Sequence, residues 1–271
     1  MVRTPGWGAV SASAYLFTLS LFVLTFDGVP LSGPLVLVAV AGSVGLVVVL
    51  GRLHPRPAVA LADRRFHVGL AAVPFVPLIV SVYVPGVAFV SPLDPLTWIL
   101  LCWSMTGIAL YASVANAQAR HYEEHSERVV HLRVRPTART RRRRAVLFGV
   151  GGVVVIVGVW LVSLPSVFRS LVMGLGFSAL FSGVLGARRP RTYRLVDGGL
   201  IRQDGGARVS TFVPRSRIAL AEREGERLRL ERRGPWWPGT EFTVEDVGGD
   251  RGTATRWFEG TAGALSVGRP A

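Results

Sequence analysis

Up to residue 187 the chain alternates long apolar stretches with polar, arginine-rich ones; beyond 190 the period changes. Six apolar runs fall at about 8–26, 34–51, 66–84, 95–115, 145–164 and 170–187. Each is close to the ~20 residues that carry a helix across ~30 Å of hydrocarbon. None has a charged residue in its interior. Their valine content would suit strands, but in lipid each backbone polar group must be satisfied within the segment or in a closed barrel. Barrel strands alternate polar and apolar residues, and these runs are apolar on all sides. The pattern therefore predicts an α-helical integral membrane bundle of six spans. Pro74 and Pro77 each remove a backbone donor, so the third run should kink there. A single Arg3 precedes a first run of full span length, which reads as a span and not as a signal peptide.

The tail, 190–271, has apolar residues at period two. Strands are expected at 192–196, 199–203, 207–213, 217–224, 226–233 and 241–247. Asp204-Gly-Gly206 is a hairpin signal. Leu228 and Leu230 alternate with Arg227, Arg229 and Glu231, so one face of an antiparallel sheet is wet and the other packed. In the last stretch Ala254, Trp257, Phe258, Thr261 and Leu265 follow helical spacing. That predicts a short amphipathic helix whose Trp257 and Phe258 plug the open end of the sheet.

Arginine placement adds orientation. The chain has 271 residues, half of them hydrophobic, with a formal charge of +14 and no lysine. Its mean hydropathy is +0.41, more apolar than ordinary soluble domains. The connections 52–65 and 116–144 and the tail after 187 are basic, whereas 27–33 and 85–94 carry no arginine. The positive-inside rule then places both termini and both basic loops in the cytoplasm of a multi-pass cell-membrane protein. Asp27 and Asp94 sit at the outer helix ends. The lone Cys102 excludes an intrachain disulfide and a Cys-x-x-Cys zinc site. Ala179, Gly183 and Ala187 lie four apart on the sixth run, a small-residue face for close helix packing or self-association.

"YRLVDGGLIRQDG" (193–205), "VPRSRIALAE" (213–222) and the final helix around Trp257 carry a resemblance. Together they resemble the prokaryotic pleckstrin-homology-like domains, which are often fused to membrane spans. The resemblance covers roughly the last third of the chain. It implies a small antiparallel β domain with a closing helix, a binding or assembly role, and no catalytic residues or cofactor.

Three constellations carry candidate chemistry. "HYEEH", 121–125, matches the H-x-x-E-H metal pattern, with Glu127 or His131 as a third ligand. Its setting among Arg120, Arg128 and Glu123 reads instead as a solvated, salt-bridged helix extension. His121 and His125 stay as candidate metal ligands. "RTRRRR", 139–144, abuts the fifth run, so Arg141, Arg142, Arg143 and Arg144 are candidates for anionic lipid headgroups at the inner leaflet. No aromatic residues are interleaved there, which argues against nucleic acid. Trp236 and Trp237 in "GPWWPG", and Arg202 and Arg208 beside the early strands, are candidate lipid or partner contacts.

No P-loop, Gly-x-Ser-x-Gly or dinucleotide motif is present, and no charge lies mid-membrane. The reading is a non-enzymatic membrane protein without a cofactor. Its tail binds a partner protein, another copy of itself, or the inner leaflet. A transporter or its accessory subunit is the alternative, with Ser104, Thr106, Ser113 and Asn116 lining a polar path. A metalloenzyme on His121 and His125 is the third.

Overall fold

A computed structural model describes residues 7–53, 56–77, 95–127, 129–161, 173, 174, 176, 177, 180, 181, 189–204, 209–232, 240–248 and 252–258. The chain divides into two compact units, Met1–Gln118 with Leu164–Arg169, and Ala119–Ser163 with Ser170–Ala271.

The first unit is helical. It holds α1 (Trp7–Phe26), α2 (Gly33–Leu53), α3 (Pro57–Asp63), α4 (Phe66–Ala72) and most of α5 (Pro95–Glu124). Among the described residues, three helices are long and apolar enough to cross a membrane: Gly8–Phe26, Gly33–Leu53 and Pro95–Glu124. They coincide with the first, second and fourth runs. The basic connection 52–65 is not simply a loop, since it contains α3. Arg65 takes a left-handed conformation (φ 59°) between α3 and α4, so the chain turns there at a residue without glycine's freedom. The expected break occurs at Pro74: α4 ends at Ala72, residues 73 and 74 form a turn, and helix resumes at 75–77. Residues 78–94 lie outside those described.

Tyr15, Leu100, Trp103, Leu110 and Val114 form the core between α1 and α5, with Ala62 beside them. The Tyr15 hydroxyl donates to Leu70 O at 2.7 Å. Two hydroxyl pairs join α1 to α5: Ser11 with Ser113 and Thr18 with Thr106, both at 2.9 Å. Such bonds hold apolar helices together where lipid offers no competing partner.

The second unit is built on one antiparallel sheet of seven strands: β1 (Val130–Pro136), β2 (Arg191–Val196), β3 (Gly199–Asp204), β4 (Ser210–Pro214), β5 (Ile218–Glu224), β6 (Arg227–Arg232) and β7 (Thr240–Gly248). Their order is β4-β3-β2-β1-β7-β6-β5. The six strands expected after 190 are all present. The correction concerns β1. The stretch 130–136, expected to belong to the basic cytoplasmic loop 116–144, is the middle strand of the sheet. It pairs β2 from Val130↔Leu195 to Val134↔Arg191, and β7 on its other side. The physical reason is its alternation: Val130, Leu132, Val134 and Pro136 are buried, and His131, Arg133 and Arg135 are exposed.

The sheet's core gathers Leu132, Val134, Tyr193, Leu195, Leu228 and Phe242, closed by Ala254, Trp257 and Phe258 of α7 (252–258). Trp257 Nε1 donates to Val196 O at 2.9 Å, and the Arg215 guanidinium lies 5.2 Å from its ring. The plug role expected of this helix is thus met by the residues described. Gly199 is required by close approach, since a Cβ there would lie 2.2 Å from Val213 O.

α6 (Ala138–Leu161) follows β1 directly. It packs closely on the helical residues between 173 and 181. A Cβ on Gly152 would lie 2.9 Å from Gly176 O, and one on Gly176 would lie 2.8 Å from Ile156 Cγ1. Small residues here let two backbones approach. The small face expected at Ala179, Gly183 and Ala187 lies outside the described residues.

Candidate functional site: the junction of sheet and helix

β1 ends at Pro136, which cannot continue a ladder, and Thr137 caps the helix that follows. Thr137 Oγ1 accepts from Thr140 N at 3.4 Å, and Thr137 O accepts from Arg141 N at 2.9 Å. The same turn is fastened to the start of β7. Thr137 N and Thr140 Oγ1 both donate to Glu241 O, at 3.2 and 3.1 Å. Glu241 N donates back to Thr140 Oγ1 at 3.2 Å. Thr140 is buried. Within about one helical turn the chain passes from the central strand to α6 through a bonded joint and not a free linker.

The arginine run occupies the first turns of α6. Arg141, Arg142 and Arg143 are exposed, whereas Arg144 is half-buried. The Arg144 guanidinium lies 5.9 Å from the Phe242 ring centroid, and that of Arg191, at the start of β2, lies 6.0 Å from it. The exposed three and the inward one therefore bracket the joint, directly before the apolar stretch 145–161 of the same helix. Arg202 stands on β3 opposite Tyr193 and Thr211. It borders a small cavity of about 40 Å³ inside the sheet, shared with Tyr193, Leu200, Thr211 and Thr240 and large enough for a water or two. Arg208, Trp236 and Trp237 lie outside the described residues.

A second attachment is made by the end of α5. Tyr122 stacks on Phe212, with ring centroids 3.8 Å apart and planes at 9°. Glu123 pairs with Arg194, which also donates to Gln203 Oε1 at 2.8 Å. Ala119 is buried against Val196 and Ile201. Asp197 Oδ2 accepts from Ser126 Oγ at 3.0 Å and from Glu127 N at 2.9 Å, fixing the exit from the helix. The helix does extend to Glu124 and is salt-bridged, with Glu124, His125 and Glu127 exposed; the correction is that its other side is not solvated, since Ala119, Tyr122 and Glu123 pack on the sheet.

His121 and His125 do come together, with ring centroids 4.3 Å apart. His131 stands on the exposed face of β1, opposite Gly248 and Arg194. Among the described residues no group of three or more His, Cys, Asp or Glu could hold a metal ion. The three-ligand set that a hydrolytic zinc needs is therefore not assembled there. Of the hydroxyls expected to line a polar path, Thr106 and Ser113 bond to α1, and Ser104 donates to Leu100 O at 2.9 Å.

Sequence reasoning missed the Thr137–Thr140–Glu241 joint, Arg191, and the Glu123–Arg194 pair. A threonine directly before a helical run is a legible cap signal. The cross-chain pairs had no local signal. A scan of family models and searches of curated proteins and of solved structures return no match to this chain.

Proposed function

We propose that this is a six-span, non-enzymatic membrane protein whose pleckstrin-homology-like β domain is held at the inner leaflet and docks a partner protein there. The observation that supports it most is the splice. One strand of the sheet lies between two apolar helices, and the other six follow the sixth run. For β1 and β2 to pair, the segment 137–190 must cross the bilayer an even number of times. The runs 145–164 and 170–187 supply two crossings, which agrees with the arginine pattern and with cytoplasmic termini. An antiparallel sheet with a closing helix is what the pleckstrin-homology-like reading expects of this domain. Arg141, Arg142 and Arg143 emerge at the headgroup level, where each charge near an anionic surface contributes about 1 kcal/mol. A domain clamped in this way presents its outer face to the cytoplasm at a set height, as a scaffold needs.

The test is co-purification from native membranes, read by mass spectrometry. Deleting 190–271 would strand β1, so the comparison is full-length protein against Leu132→Asp, which places a charge in the sheet's core and changes no residue of the apolar helices. A defined partner lost with Leu132→Asp supports the docking reading. The same proteins recovered with both forms refute it.

A further inference from the structure

We propose that the third apolar run is hinged at Val73 and Pro74, and that Tyr15 of α1 is the latch of that hinge, its hydroxyl standing in for the N–H that proline lacks. This is independent of the docking reading. In an unbroken helix the N–H of residue 74 would donate to the carbonyl of residue 70. Pro74 has no N–H, so that bond cannot form. Leu70 O accepts instead from the Tyr15 hydroxyl, at 2.7 Å. A helix's own bond moves with the helix. This one comes from a different helix, so a small displacement of α4 against α1 makes or breaks it.

The same stretch loses a second bond. Pro77 cannot donate to Val73 O, and Val76 N takes that carbonyl at 3.1 Å, in a tighter turn of the i to i−3 kind. Val73 N still donates to Gly69 O at 2.9 Å. Between α4 and the helical residues 75–77 the backbone thus keeps fewer of its own bonds than an unbroken helix, and that is where helices bend. The surroundings make the borrowed donor matter. Tyr15 is 3% exposed and Pro74 is fully buried. The Trp103 ring lies against that of Tyr15, with centroids 6.0 Å apart. A carbonyl left without a partner in such a setting is costly, so the latched state is strongly preferred. Gly107 of α5 leaves the joint room: a Cβ there would lie 3.4 Å from Ala71 Cα and Ala71 O and 3.5 Å from Pro74 Cγ. Pro74 supplies the place to bend, Gly107 a bearing without a side chain, and Tyr15 a catch that can reopen.

The experiment is amide hydrogen exchange of the full-length protein in lipid nanodiscs, read by mass spectrometry on peptides covering 66–77, with α2 as the reference. Wild type, Tyr15→Phe, Pro74→Ala and the double variant are compared. Tyr15→Phe keeps the ring and removes only the hydroxyl. Leaving the Leu70 carbonyl unpaired should raise exchange over 66–77 roughly 5- to 150-fold, with α2 unchanged. Alanine at 74 has an N–H to give to Leu70 O, so in the Pro74→Ala background Tyr15→Phe should change exchange by less than about twofold. Thr18→Val removes a different hydroxyl of α1, the one paired with Thr106. Its effect should be the same with proline and with alanine at 74. Wild-type exchange in Tyr15→Phe overturns the latch. So does an equal rise in both backgrounds, because the hydroxyl would then not be replacing proline's missing donor, and so does a Thr18→Val effect that also vanishes with Pro74→Ala. An equal rise over α2 overturns the hinge, since the whole helical unit would then be loosening.

Discussion

If residues 130–136 are the middle strand, then Leu132→Ala must weaken the whole sheet, although it lies far in sequence from the other six strands. Leu132 has no exposed surface and sits in the core with Leu228, Phe242 and Trp257. Truncating a fully buried leucine costs about 2–5 kcal/mol, from lost burial plus the cavity left behind. That corresponds to a rise of roughly 30-fold to several thousandfold in the opened population. The neighbouring Arg133→Ala is the control. Its side chain is on the opposite face, 57% exposed, and its distance to Glu245 is 3.8 Å. An exposed pair of this kind contributes about 0–1 kcal/mol. Trypsin suits the assay, because arginines are spread through the tail and cleavage of a transiently opened domain tracks its open fraction. In detergent, across a urea series, Leu132→Ala should bring tail cleavage to much lower urea while Arg133→Ala stays close to wild type. Equal protection of all three proteins would refute the central place of β1.

Three further outcomes test the joint, the helix pair and the plug. Thr140→Val keeps the volume but removes the hydroxyl that accepts from Glu241 N; leaving that part-buried donor unpaired should cost about 1 kcal/mol in the same urea series. Gly152→Leu forces a Cβ to within 2.9 Å of Gly176 O, whereas a Cβ at Gly149 meets nothing within 4 Å. Gly152→Leu should therefore lose about 1–3 kcal/mol to overpacking and lower the melting temperature in detergent, and Gly149→Leu should not. Trp257→Phe gives up the bond to Val196 O for about 1 kcal/mol, and Trp257→Ala empties the plug for about 3–5 kcal/mol. Near-equal losses for the two, measured by tail proteolysis, would place the hydrogen bond and not the packing at the centre of the plug.

Local order was legible for most of the described elements, β1 and α3 excepted. The period-two alternation after 190 marked six strands to within three residues at each end, because alternate burial is a property of a strand and its immediate face. The first, second and fourth apolar runs appear as long helices, since a length of ~20 apolar residues is itself the requirement for crossing lipid. The same alternation was present in "VHLRVRP", yet its position between two apolar runs and beside a histidine-rich helix end drew it into a loop. A strand next to its partners in sequence is recognised by its turns. One separated from β2 by a whole helical segment has no turn to mark it.

What the sequence alone determined is therefore the inventory: apolar segments long enough for a bilayer, arginines on alternate connections, six alternating strands and a plugging helix. Only the tertiary structure decided how those parts are spliced. Pairing between Val134 and Arg191 joins residues on either side of a helical insertion. The bonds of Thr137 and Thr140 to Glu241 span about a hundred residues. Burial and periodicity act on neighbouring residues and are written in short windows. Strand order and the joint depend on which distant backbone groups satisfy one another, and that is settled only when the chain folds.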